Sequence, residues 1–442
     1  MGQFIKGPAA PTGYAALLAR RTTAAGSEGR VIDPDLIHES LKPFQRRIVV
    51  WGINGARRAI WADTGLGKTR MQLEWARLSA PTSLIAAPLA VCEQTVEEAA
   101  KIGITAAYIR SDTEVTGPGV YVTNHEMVPK INPALFGAVA LDEASILKQS
   151  DGKTRTMLID HFKDVPYRTT WTATPGPNDP EELTNQSEFL GQMTRTNMLA
   201  AYFIHDQDGW RLKGHATQPM IRWMSSWALA IRKPSDMGDD DTGYDLPGLE
   251  IIPEIVDSHI EAAEGELFAA TIGGVTGRSQ VRKQTLAARV ARAVELIQAE
   301  PDEPWMLWCG LNDEADALAK ALPGAVNIHG SLSPEEKAKG LHDFAHGRIQ
   351  ILISKPSIAS QGLNWQHCAR TAFVGLSDSY EQYYQCIRRF YRFGQPRIVH
   401  AHVILSALEQ QIAHNVLRKE RQANGVMDAM IAHINETERL TA

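Results

Sequence analysis

"RAIWADTGLGKTRMQLEWARL", residues 58–78, decides the fold. An apolar run, RAIWA, is followed by a glycine turn and then by a helical pattern. Gly65 and Gly67 allow backbone amides to wrap closely around phosphate oxygens, Lys68 supplies charge for the outer phosphates, and Thr69 can hold magnesium. Ala62 stands where the usual phosphate-loop pattern has its first glycine, while the two glycines beside the lysine keep the close approach. A chance glycine turn is the competing reading, and a strand before with a helix after argues against it.

Working outward, short apolar runs rich in β-branched residues alternate with helical patterns. They are SLIAAP (83–88), GVYVTN (119–124), AVALDEA (138–144) and YRTTWTATP (167–175), then WMLWC (305–309), AVNIHG (325–330), IQILIS (349–354), TAFVGL (371–376) and VHAHVIL (399–405). Such alternation predicts α/β domains with parallel sheets covered by helices. Between the two sets lies KPSDMGDDDTGYDLPG (233–248), where glycine, proline and aspartate interrupt the pattern. The expected organisation is a mobile lead-in at 1–30, a first domain at 31–235, an acidic linker at 236–248, a second domain at 249–405 and a helical tail at 406–442. In AVALDEAS, Asp142 and Glu143 close a buried strand, where a parallel sheet presents ligands. Asp142 would hold magnesium through water and Glu143 would activate the attacking water, giving a nucleoside triphosphate site.

At 442 residues the chain can bury more than one core. No run approaches a membrane span, and the first thirty residues carry neither an apolar signal core nor the hydroxyl residue an acylation signal needs, so a cytoplasmic protein is expected. The cysteines, Cys92, Cys309, Cys368 and Cys386, are widely spaced, which argues against a zinc cluster or disulfide framework and for packed thiols. A net charge of −6 repels polyanions overall, so any nucleic-acid binding must come from local basic surface.

QCIRRFYRFGQ (385–395) gathers three arginines and three aromatics. Read as a helix from Tyr380, it places Tyr380, Tyr383, Tyr384, Ile387 and Tyr391 on one core-facing stripe, with the arginines on another side. Like charges one turn apart repel unless an anion sits between them. A solvated basic face and an anion site read equally well from this segment alone.

With DTGLGKT (63–69), LDEASILK (141–148) and TATPGPN (172–178) in that order, the first half resembles superfamily 2 helicases, whose motors are two RecA-like domains closing on ATP in the interdomain cleft. LKPFQRRIVVWGI (41–53), IHGSLSPEEKAKGLHDF (328–344), SIASQGLN (357–364) and QCIRRFYRFGQ narrow the resemblance to the SWI/SNF-type DNA-dependent ATPases, over about Leu41 to Gln395. The resemblance implies tasks for the matched residues. Gln45 would read adenine, and Thr64, Gly65, Leu66, Gly67, Lys68 and Thr69 would hold the phosphates of ATP with Mg2+ on Thr69 and Asp142. Gly362 and Asn364 would contact ribose or backbone phosphate, although Gly362 also reads as a simple turn. Thr172, Thr174 and Gln385 would couple hydrolysis to the nucleic-acid face, with local capping as the other reading of the threonines. Arg389 and Arg392 would be arginine fingers acting with the catalytic Lys68, Asp142 and Glu143, and Arg388 would have a surface or ion-pair role.

The sequence departs from the family pattern in places. Ser145 stands where relatives often carry histidine, and Ser360 and Gln361 replace a glycine-rich turn. Pro88, Leu89, Thr123 and Asn124 match blocks that contact the nucleic-acid backbone in relatives. Within RSQVRKQTLAARVAR (278–292), Arg282, Lys283 and Arg289 would meet phosphates from one helix, which reads equally as a solvated face. Trp365, Tyr383 and Tyr384 read as core rather than as base-stacking residues. The implied activity is an ATP- and magnesium-dependent translocase on DNA, with duplex favoured and single strands or RNA as other tracks. A strand-separating helicase and an ATP-dependent clamp without turnover are the alternatives.

Overall fold

The apolar run ahead of the glycine turn forms strand β1 (Arg57–Ala62), with its last four residues buried. In the computed structural model, residues 29–148, 152–207, 209–256, 283–359, 364–375, 379–406 and 409–441 are described. β1 belongs to a sheet with β2 (Thr82–Ala87), β3 (Ala106–Tyr108), β4 (Gly119–Asn124), β5 (Ala138–Asp142) and β6 (Tyr167–Trp171). A small antiparallel hairpin, β7 (Phe203–Asp206) with β8 (Gly209–Leu212), precedes the seventh member, β9 (Ala228–Ile231). The order is β3-β4-β2-β5-β6-β1-β9 and every pairing is parallel. Parallel neighbours need crossover connections, which the intervening helices supply. All the C-terminal strand ends therefore lie along one edge, bringing the turn after β1 and the acids after β5 to the same side of the sheet.

A second, six-stranded sheet holds β10 (Leu249–Val256), β11 (Trp305–Trp308), β12 (Val326–Ile328), β13 (Ile351–Ser354), β14 (Arg370–Phe373) and β15 (Val399–Ser406). Its order is β10-β15-β14-β11-β13-β12, again parallel throughout. The expected α/β architecture with parallel sheets is thus met. Contacts divide the chain into two compact units, one reaching Asp240 and taking in Gln422 onward, the other running from Asp241 to Arg421. The helix Gln410–Thr441 consequently supplies residues to both. No helix among the described residues is long and apolar enough to cross a membrane.

The first unit's core includes Trp61, Trp223 and Trp227, with Trp61 and Trp227 edge to face at 6.1 Å, and it takes in Met427 and Met430 from the C-terminal helix. Each such indole removes about 150–250 Å² from water, several kcal/mol at ~25 cal/mol/Å². The second unit packs Trp305, Leu307, Ile353 and Ile404 around an ion pair that is wholly buried. Arg289 meets Glu314 at 2.7 Å with both side chains at 0 % exposure, and it also donates to the Val374 carbonyl. The second carboxylate oxygen of Glu314 accepts the Gly310 and Leu311 amides at 2.8 and 2.9 Å. Arg289 is therefore a core residue, which corrects the expectation that it meets phosphate. Trp365 and Tyr383 are buried as expected, and Tyr384 is partly so. All four cysteines are free thiols and buried.

Candidate nucleotide-binding site

Gly65 and Gly67 take φ values of +87° and +81°, the left-handed region that side chains resist. A Cβ on Gly67 would also fall 2.4 Å from Gln45 Nε2. The helix Lys68–Ser79 starts directly after this turn. Lys68 Nζ donates to the carbonyls of Ala62 at 2.9 Å and Asp63 at 3.3 Å, so its charge is held over the loop. The Thr64 amide donates to the Asp63 carboxylate at 2.6 Å, Leu66 is buried and Thr69 half-buried. The Gln45 amide expected to meet adenine is committed inside the chain: Oε1 accepts the Lys42 amide at 2.7 Å and Nε2 donates to the Leu66 carbonyl at 2.8 Å. Gln45 thus braces the loop from the helix Pro43–Asn54.

Asp142 ends β5, and its Oδ1 accepts a hydrogen bond from Gln72 Nε2 at 2.6 Å. Gln72 lies on the helix that Lys68 begins, so the acid strand and the phosphate turn form one site. Glu143 follows at φ +45°, a non-glycine residue in left-handed backbone, at a cost of about 1–3 kcal/mol. That kink turns the chain into the short helix Ala144–Lys148. Ser145 is buried and its hydroxyl donates to the Glu143 carbonyl at 3.5 Å. After β6, the Thr174 amide donates to Thr172 Oγ1 at 3.0 Å, with both threonines buried. Thr174 Oγ1 has no hydrogen-bond partner among the described residues.

In the second unit the helix Tyr380–Ile387 stops before the arginines, with Arg388 as its cap. The longer helix expected through Tyr391 is corrected: Tyr380, Tyr383 and Ile387 face the core, and the arginines occupy the turn beyond. Arg388, expected in a surface or ion-pair role, stands over the rings of Tyr384 and Tyr391, 5.0 and 5.4 Å from their centroids. Arg389 is buried, donating to the Gln385 carbonyl at 3.2 Å and to its side-chain oxygen at 3.1 Å. Burial and the neighbouring charges of Arg389 and Arg388 lower the Arg392 guanidinium to about 10. This is a concentration of positive charge suited to an anion.

Several expected nucleic-acid contacts do not reach the surface. Thr123 is wholly buried with its hydroxyl on the Ile109 carbonyl, and Asn124 is buried between Tyr108 and Glu126. Pro88 is buried at the start of the helix Leu89–Lys101, leaving Leu89 as the exposed member of its block. Lys283 and Asn364 are exposed. Arg282, Gly362, Ser360, Gln361 and the lead-in to residue 28 lie outside the described residues. A feature not assigned from sequence is a cavity of about 340 Å³ in the second unit, lined by Asn312, Asn327, His329, Ser331, Ser354 and Lys355. It opens where β12 and β13 end and the helix Asn312–Ala321 begins. The signal was present in IHGS and in the lysine after IQILIS, but only the fold joins them.

Residues 288–394 match the model of the helicase conserved C-terminal domain. The helicase resemblance read from the later motif blocks, Ile328 onward, is borne out by this match, which ends within the arginine turn. The chain is 24 % identical, over 465 residues covering 88 % of it and 97 % of the relative, to a protein called p41 from Acyrthosiphon pisum secondary endosymbiont phage 1. It is also similar to the Sulfolobus solfataricus SWI2/SNF2 ATPase core in complex with dsDNA, with 17 % identity, coverage of 90 % of this chain and 96 % of that one, and a TM-score of 0.44.

Proposed function

We propose that the chain is a nucleic-acid-dependent ATPase, a DNA translocase of SWI/SNF type that displaces or remodels what is bound to its track. The observation that carries this reading is the Gln72–Asp142 hydrogen bond, which makes one site out of two motifs 70 residues apart. The turn at Gly65 and Gly67 presents backbone amides to phosphate oxygens, and Lys68 brings its charge to them. Thr69 and Asp142 would hold magnesium, which neutralises charge on the phosphates. Glu143 orients the attacking water and accepts its proton. Arg389 and Arg392 meet the charge that builds on the transferred group, with Gln385 holding Arg389 in place. Thr172 and Thr174 relay the state of the site to the nucleic-acid face, and Gly362 and Asn364 contact ribose or backbone phosphate.

The helicase C-terminal match supports a nucleic-acid track. Lys355, His329 and Ser331 in the second unit's cavity are suited to a backbone phosphate, as is the exposed Lys283. The decisive experiment measures ATP turnover by the full chain with duplex DNA, single-stranded DNA, RNA or nothing, alongside strand displacement. Stimulation by duplex without strand displacement is the expected result. Turnover indifferent to every nucleic acid would overturn the proposal, and tight ATP binding without turnover would make the chain a clamp.

A further inference from the structure

In the first unit, the position where relatives often carry histidine holds Ser145, whose hydroxyl donates within its own turn. An imidazole nevertheless reaches the acids from elsewhere. His125 follows the end of β4, where its backbone amide donates to the Ala87 carbonyl at 3.1 Å and so extends the pairing of β4 with β2. Its side chain crosses the end of β2, which separates β4 from β5 in the sheet, and places Nε2 3.1 Å from the Asp142 carbonyl oxygen. A carbonyl only accepts, so Nε2 carries the proton. His125 is 6 % exposed.

The Asp142 carbonyl belongs to the peptide that links Asp142 to Glu143, and the tilt of this peptide plane sets the φ of Glu143. That φ is +45°. From the carboxylate side Asp142 is held by Gln72 Nε2. We infer that His125 is a positioning residue of the hydrolytic site, its Nε2–H anchoring the Asp142–Glu143 peptide in the orientation that aims the Glu143 carboxylate. This rests on the reading of Asp142 and Glu143 as the hydrolytic acids. His125 also adjoins Asn124 and Glu126, which are hydrogen-bonded to each other, and Asn124 is bonded to Tyr108 on β3. Displacement of the β4 end therefore reaches the acids through one side chain.

The test uses the full chain with His125→Phe, which fills the space without a donor, and His125→Gln, whose amide nitrogen replaces Nε2. Hydrogen exchange of the nucleotide-free protein is followed for peptides spanning 139–147, with ATP turnover and Mg-nucleotide affinity measured in parallel. The expected result for His125→Phe is faster exchange confined to that segment, kcat lower by about 100-fold and nucleotide affinity within about threefold, with His125→Gln recovering most of the loss. Unchanged exchange in His125→Phe, or equal losses in both variants, overturns the assignment. The exchange readout does not depend on turnover, so a wild-type chain that fails to hydrolyse ATP refutes the ATPase reading without obscuring whether His125 holds the turn.

Discussion

Lys68, Glu143 and Arg392 carry separate parts of the proposed chemistry, and their variants should fail in distinguishable ways. Lys68→Ala is expected to lose nucleotide binding, read by titration with a fluorescent analogue. Glu143→Gln should bind normally and turn over about 10²- to 10⁴-fold more slowly. For Arg392→Gln a kcat loss of about 10³-fold or more with near-normal affinity is expected, measured by phosphate release. Its lowered pKa adds an independent outcome. A base depressed in the fold destabilises it while charged, throughout the range below about 10, and the penalty fades as pH rises past that value. Arg392→Gln should accordingly raise the melting temperature of the nucleotide-free chain at neutral pH. Burial pushes the Cys92 and Cys368 thiols up to about 12 and Cys309 and Cys386 well above their ordinary value. At pH 8 a thiol of that kind is thiolate in about one molecule in 10⁴, so a disulfide reagent should label none in the native chain and all four after denaturation. The phosphate turn was legible in sequence because its parts are contiguous. The burial of Thr123, Asn124 and Arg289 was not, because the groups that satisfy them, Ile109, Tyr108 and Glu314, lie 14, 16 and 25 residues away.

At the level of elements, the strands read from sequence were those in runs rich in apolar and β-branched residues, and one of those missed, β10, had a physical reason to be quiet. β10 is an edge strand, largely exposed, with Glu250, Pro253 and Glu254 in its span. Proline is tolerated there because an edge leaves one set of hydrogen-bonding groups unused. The helix before the arginine turn was read too long because Tyr391 continues the apolar spacing, yet the backbone leaves the helix at Arg388 and uses Tyr391 to flank that guanidinium. The buried pair Arg289–Glu314 joins the helix Leu286–Ala299 to the start of Asn312–Ala321. Glu314→Ala leaves Arg289 only the more distant Glu409 carboxylate, at 3.9 Å, among the described ion pairs and takes the acceptor from two backbone amides, and urea unfolding should show a loss of about 3–5 kcal/mol. Gly375→Ala should also destabilise the second unit, since its Cβ would stand 2.3 Å from a Glu314 oxygen.

For the whole molecule, a net charge of −6 requires that attraction to a polyanion be local and sensitive to screening. Affinity for duplex DNA should fall steeply from 50 to 200 mM salt, and Lys355→Ala should reduce the slope of log K against log salt by about one without changing sequence preference. A slope unaffected by that substitution would remove the cavity from the binding surface. Two α/β units were legible because strand and helix periods alternate along the chain. The sharing of the last helix was hidden, because Met427 and Met430 look the same in sequence whether they serve a local tail or a core formed some two hundred residues earlier. During synthesis on the ribosome, the first unit therefore emerges with part of its interior still untranslated, and it acquires its final methionines only after the entire second unit has left the exit tunnel.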